Sequence, residues 1–193
     1  MLNLSKILKE NRYNTEELPE LEHKLFFEGE RARRYQINFI VMLILSTIIA
    51  SGGVIADSAA TVIGAMIIAP LMTPIVATTA ALMMGNALRA WHSAMLVLAG
   101  MLCTILVAVV IGSLGIHVLD FNSNTQITAR AAPRILDLMI ALAAGTAGAF
   151  AISRKEIADS IPGVAISIAL VPPLCVVGIS LAGGGWPEAG GAL

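Results

Sequence analysis

The sequence predicts an all-α integral membrane protein with about five transmembrane helices. Three observations predict it. Hydrophobic residues make up 57% of the 193 and charged residues only 13%, about half the charged share of an ordinary soluble domain. The charges are segregated: residues 1–34 hold seven Lys/Arg and seven Asp/Glu, and the other 159 hold five and six. Residues 35–56, 58–88, 90–119, 138–153 and 160–187 contain no Asp, Glu, Lys or Arg at all. A soluble fold needs a charged shell over its core, and most of this chain has no residues from which to build one.

Residues 1–34 are polar and helix-friendly, and within 20–34 the apolar Leu21, Leu25 and Phe26 precede Arg31, Arg33 and Arg34. This pattern predicts an amphipathic helix that lies on the bilayer surface or runs into the first span. Apolar runs of about 20 residues then match the hydrocarbon thickness as helices. The first span covers 35–54. The second covers 58–84 and is interrupted by Pro70 and Pro74. The third covers 93–116. The fourth covers 133–152 and opens on Pro133, a residue suited to an early helix position. The fifth covers 160–182 and is interrupted by Pro172 and Pro173. The runs are continuously apolar rather than alternating, which argues against a barrel. The chain thus divides into a cytoplasmic segment, 1–34, and a transmembrane domain, 35–193.

Ten of the twelve Lys/Arg fall in the N-terminal segment, at Arg89, or at Arg154 and Lys155. Only Arg130 and Arg134 lie in the connection between the third and fourth spans. The positive-inside rule then places the N-terminus in the cytoplasm and the protein, multi-pass, in the cell's inner (plasma) membrane. The first apolar run begins behind a long charged region, so it reads as a retained helix rather than a cleaved signal. A net charge of −1 without a basic stripe gives no support to a nucleic-acid partner. Cys103 and Cys175 lie in apolar runs and read as small buried hydrophobes. His92 and His117 fall near opposite membrane faces, so no metal site is expected. No nucleotide loop and no nucleophile–base pair is visible, so neither a cofactor nor an enzymatic activity is expected.

The tetrapeptide IADS occurs at 55–58 and again at 157–160. Twelve residues separate Asp57 from Pro70, and twelve separate Asp159 from Pro172. Each copy sits between two apolar runs. The pattern predicts an internal duplication, with the first two spans in repeat one (35–116) and the fourth and fifth in repeat two (133–193). Three spans separate equivalent elements, so the copies must be inverted in the membrane. Inverted repeats are a common architecture of secondary transporters. A complete unit would have six spans; either the sixth lies beyond the end of this chain or the fold closes differently.

Asp57 with Ser58 and Asp159 with Ser160 each precede a helical run. They suit helix capping, or, alternatively, contacts with an ion at the two mouths of a path. Each proline removes an amide donor and crowds the preceding turn, so kinked or broken helices are expected at mid-membrane. Freed carbonyls there need an internal partner or a ligand, and Thr73, Thr78 and Thr79 could add hydroxyls. The alternative is a kink with no ligand. Gly64, Ala65, Ala141, Ala144, Gly145 and Gly148 form small faces that read as seams within the bundle or between subunits of a homo-oligomer. Arg134 and Asp137 suit a local ion pair, and Arg89 an orientation anchor.

The stretch Gly64-Ala65-Met66-Ile67-Ile68-Ala69-Pro70-Leu71-Met72-Thr73-Pro74 and the later Pro162-Gly163-Val164-Ala165-Ile166-Ser167-Ile168-Ala169-Leu170-Val171-Pro172-Pro173-Leu174 resemble the two signature motifs of the DUF389 family of hydrophobic bacterial and archaeal proteins. The resemblance covers about 35–182. It implies a membrane location and a role for both proline motifs, but no substrate. Some relatives carry a soluble domain before the membrane part, of which this chain has only a 34-residue lead, and relatives continue past its end, which implies a sixth span. The function expected is gradient-driven passage of a small ion or solute through the lipid bilayer. Its path would involve Asp57, Ser58, Pro70, Thr73, Pro74, Asp159, Ser160, Pro172 and Pro173. The alternative is a structural or regulatory membrane module that binds a protein or lipid partner.

Overall fold

The computed structural model describes residues 30–115, 117, 123–132, 135–152 and 162–192. Every regular element among them is an α-helix. In chain order these are α1 (Glu30–Ile55), α2 (Ala59–Ile68), α3 (Met72–Met83), α4 (Ala87–Gly115), α5 (Thr125–Ala131), α6 (Ile135–Ile152), α7 (Pro162–Gly183) and α8 (Trp186–Ala192). Of the amphipathic helix expected over 20–34, only 30–34 are described, and they form the start of α1. The rest of that segment lies outside the described residues.

The two longest helices show how a uniformly apolar sequence acquires an inside. α1 buries Phe39, Leu43, Ser46, Thr47, Ala50, Ser51 and Val54, a set that recurs every three or four residues along one face. Its other face turns Ile37, Ile40, Val41, Leu45 and Ile48 outward. On α4, Gly100, Thr104, Ala108 and Gly112 point inward, four apart, while Leu98, Leu102, Leu106, Val110 and Leu114 point outward. Small residues inside let helices come close, and large apolar ones outside suit lipid and not water. With 26 and 29 residues, the helices are about 39 and 44 Å long, more than the roughly 30 Å of a hydrocarbon core.

Glycine contacts set the relative directions. A methyl group built on Gly100 would stand 3.1 Å from the Phe39 ring, and one on Gly115 2.7 Å from Ile55. Residues 39 and 55 of α1 therefore level with 100 and 115 of α4, and the two helices run parallel. A methyl on Gly178 would stand 2.5 Å from Ala108 Cβ, and one on Gly112 2.9 Å from Ile179 Cα. α7 therefore also runs parallel to α4. Every other described helix touches α7, and Val171, Pro172, Cys175, Val176, Val177, Ile179 and Ser180 are closed off from solvent. α7 is the axis of the bundle.

α2 turns back from α1, with Gly53 against Val62, and so runs opposite to α7. It ends where the Ala69 amide donates to the Ala65 carbonyl. Pro70 has no amide to continue the ladder, and α3 starts at Met72 with its axis bent by 53°. The fifth expected span is different. A break at Pro172 and Pro173 is expected from the sequence, but α7 runs unbroken through both. The prolines cost the carbonyls of Ile168 and Ala169 their helical donors. Packing by the surrounding helices holds the C-terminal half of the helix in place regardless.

By length and composition two stretches can cross a membrane, Ala32–Ile55 and Ala87–Gly115, or three if the bent α2–α3 pair counts as one. The apolar stretches of the other two expected spans, Ile135–Gly148 in α6 and Leu170–Gly183 in α7, are shorter. The third span begins earlier than position 93. Gly85, with φ +70, lets the Asn86 amide reach the Ala81 carbonyl and closes α3. Asn86 Oδ1 then accepts the Arg89 amide at 3.1 Å and starts α4. The short helices α5 and α8 do not stand out in the sequence. They pack on each other at the end of the bundle where α1, α4 and α7 finish, with Gly191 against the Ala131 carbonyl.

Candidate functional site

The corner between α1 and α2 is built by Asp57. Its φ of +49 lies in the left-handed region that Asp tolerates better than most residues. There the Asp57 amide donates to the Val54 carbonyl at 3.1 Å and the Ser58 amide to the Gly53 carbonyl at 2.8 Å, the bond pair of a Schellman helix stop. Ser58 is the N-cap of α2: its Oγ accepts the Thr61 amide at 3.4 Å and pairs with the Thr61 hydroxyl at 2.9 Å. Asp57 caps a different helix. Its Oδ1 accepts the Thr125 hydroxyl at 2.5 Å and the Gln126 amide at 3.1 Å, at the start of α5. The Thr125 hydroxyl, and then the backbone amides, hold the exposed carboxyl below the usual aspartate range.

Asn124 joins the same corner from the other side. Its Oδ1 accepts the Ile127 amide and caps α5, and its Nδ2 donates to the Val54 carbonyl at 2.7 Å. One buried side chain thus supplies a donor to the end of α1 and an acceptor to the start of α5. The result fixes α5 over the end of the bundle where α1, α4 and α7 finish. From its last turn Arg130 reaches inward, with Nη1 bonded to the Gln126 carbonyl and to Gln126 Oε1 at 2.8 and 2.9 Å. Burial pulls the Arg130 pKa down, opposed by the Cys175 thiol of α7.

Beneath this cap the bundle holds unsatisfied polarity. Ser51 of α1, Thr104 of α4 and Ser180 of α7 have fully buried hydroxyls with no hydrogen-bond partner. Other hydroxyls in equally apolar runs bond back to their own helices: Ser46 and Thr47 to the Leu43 carbonyl, Thr78 to Pro74, Thr79 to Ile75, Thr146 to Leu142. The trio departs from this pattern on three helices that run parallel and touch one another.

The expected path residues do not gather into one place. Asp57 and Ser58 lie at the exposed corner. Pro70, Thr73 and Pro74 lie at the α2–α3 bend, where Ala69, Leu71 and Pro74 are buried and Thr73 stands beside the Tyr35 hydroxyl. Pro172 and Pro173 lie mid-way along α7 among the buried Val171 and Leu174. Asp159 and Ser160 lie outside the described residues. Apart from the Tyr35 and Thr73 hydroxyls, the buried residues beside Pro74 and Pro172 are apolar. Sequence reasoning missed Ser51, Thr104, Ser180 and Asn124 as site residues, and read Arg130 only as a charge count. The available signal was weak: nothing in the local sequence separates Ser51 or Ser180 from the self-bonded Ser46.

An all-helical chain with apolar helices of this length, turned outward with their largest side chains, is of the membrane-associated helical class. Within that class the chain belongs to the DUF389 family. The family's model, described as a domain of unknown function, matches residues 66–193. The chain is also similar to an uncharacterised protein of Methanocaldococcus jannaschii, 36% identical over 150 residues. That match covers 77% of this chain but 45% of the relative, so the chain spans less than half the length of the relative it matches. No solved structure matches it significantly.

Proposed function

We propose that the chain forms a five-span, multi-pass unit of the plasma membrane that lets a small ion or solute move down its gradient. The observation that carries this reading is the trio of buried, unpartnered hydroxyls on three parallel helices. Each such group costs about 1–3 kcal/mol while it lacks a partner, and a water or polar solute entering the seam between α1, α4 and α7 relieves that cost. The opposite directions of α2 and α7, which carry the two proline motifs, support an inverted repeat. The 18 and 22 residues of α6 and α7, about 27 and 33 Å as helices, support two further spans. The positive-inside bias supports a cytoplasmic N-terminus. α6 turns Ile135, Leu136, Leu138, Met139, Ile140 and Leu142 outward, which supports contact with lipid or with a second copy in a homo-oligomer. The reading assigns the chain no catalysed reaction and no metal or nucleic-acid partner.

A second reading is favoured by a specific observation. The closely packed, largely apolar surroundings of Pro74 and Pro172 suit a rigid structural or regulatory module rather than a polar passage. A flux screen separates the two. Purified protein in liposomes is tested with a panel of labelled ions and small neutral solutes, beside a Ser51→Ala/Thr104→Val/Ser180→Ala variant. Transport predicts passage of at least one solute, reduced about ten-fold or more in the variant. No passage of any solute by correctly folded protein rejects transport in favour of the module.

A further inference from the structure

The two tryptophans of the chain, Trp91 and Trp186, both turn away from the bundle, 63% and 70% exposed. They stand at opposite ends of it. Trp91 lies near the start of α4, beside the Gly85–Asn86 turn, and Trp186 opens α8, just past the end of α7. Among the described residues no other Phe, Tyr or Trp is exposed, and every other large apolar side chain turned outward is Ile, Leu, Val or Met.

Helix register gives the spacing of the two rings. α7 runs parallel to α4, with Ile179 level with Gly112. From Trp91 to Gly112 the helix rises about 32 Å, and the last turn of α7, to Gly183, adds about 6 Å. The rings are thus about 32–38 Å apart along the bundle. That exceeds the roughly 30 Å of a hydrocarbon core and falls short of the roughly 40–45 Å of core plus headgroups. Charge marks the same two levels. Phe39 is level with Gly100, so the exposed Arg33 and Arg34 at the start of α1 lie about one turn from the Trp91 level. Ile55 is level with Gly115, so Asp57 lies level with the end of α7. Between these charges, residues 35–56 carry none.

The indole chemistry selects what covers these rings. An indole is a broad apolar plate whose single polar group, the N–H, only donates. In water the plate stays exposed, and in hydrocarbon the N–H lacks an acceptor. At the boundary between them the plate packs on acyl chains while the N–H meets an ester carbonyl, a phosphate or water. One bilayer covers both ends at the observed spacing, whereas protein partners would have to cover each end separately.

We propose that Trp91 and Trp186 are interfacial anchors that bind the ester and headgroup zones of opposite lipid leaflets and fix the depth of the bundle in the bilayer. The part of α4 between Trp91 and Gly112 is then the segment in hydrocarbon. The Gly85–Asn86 turn stands among the headgroups of one leaflet, and α8 lies along the interface of the other. The inference rests on the bundle's crossing the membrane, and not on any solute passing through it.

Because the chain has no further tryptophan, fluorescence reads the anchors one at a time. Trp91→Phe leaves only Trp186, and Trp186→Phe leaves only Trp91. Each variant is reconstituted into phosphatidylcholine vesicles whose acyl chains carry bromine, a contact quencher, at a shallow, a middle or a deep carbon. The expected result for both is the greatest loss of emission with shallow bromine and the least with deep bromine. Wild type, which sums the two, gives the same order and carries the test if size exclusion shows either variant misfolded. Strongest quenching of either tryptophan by deep bromine overturns the anchoring and leaves the bundle in the bilayer. Quenching of either by iodide on both sides of the vesicles, with none by any brominated lipid, also overturns it. That outcome for both tryptophans rejects the crossing of the membrane as well.

Discussion

Asp57 and Asn124 show how much one corner depends on two side chains. The sequence places Asp57-Ser58 ahead of a helix and reads both as caps. Ser58 does cap that helix, but the Asp57 carboxylate reaches a helix 68 residues further on, a tertiary contact that no local pattern encodes. Its lowered pKa has a signed consequence. The carboxylate contributes stability that is complete above the ordinary aspartate range and is lost as pH falls through its lower folded value. Asp57→Asn keeps the left-handed backbone and removes that dependence. Protease cleavage near residues 123–132 should therefore rise with acid in wild type and be uniformly higher, without that acid step, in Asp57→Asn. Asn124→Ala should cost more, about 2 kcal/mol, because it removes a cap and one of the two hydrogen bonds to the Val54 carbonyl, which keeps only the Asp57 amide. Equal melting temperatures for Asn124→Ala and wild type would contradict the double role.

The helices were legible as apolar segments, but their faces were not. In α1 and α4 the outward residues are as apolar as the inward ones, so hydropathy carries no periodic signal where lipid replaces water. Size carries it instead: on α4 the inward positions are Gly100, Thr104, Ala108 and Gly112 and the outward ones mostly Leu. The prolines were legible as residues and ambiguous in effect. Pro70 coincides with a 53° bend, while Pro172 and Pro173 sit inside a continuous helix, because what surrounds a proline decides whether its helix yields. α5 and α8 stayed hidden because seven-residue helices owe their existence to caps and docking rather than to pattern. The tightest joint between two of the long helices is Gly178 of α7 against Ala108 and the Ile105 carbonyl of α4. Gly178→Ala should destabilise the protein by about 1–3 kcal/mol through overpacking, read as a lower melting temperature in detergent. Gly145→Ala, where an added methyl group meets open space inside a helix, should not lower it, and equal losses in the two would refute the axial role of α7.

At the scale of the molecule, the account depends on which end of the bundle faces which side. The Asp57 corner, α5 and α8 share one end, and the Gly85–Asn86 turn lies at the other. With the basic N-terminal segment inside, the first end faces outward and an odd number of spans follows. The most direct measurement is labelling of single cysteines at Ser58, Asn86 and Gly190 in a Cys103→Ala/Cys175→Ala background, using a membrane-impermeant maleimide. The account predicts labelling at 58 and 190 in intact cells, and at 86 only after the membrane is opened. Labelling at 86 in intact cells, or opposite accessibility of 58 and 190, would contradict it.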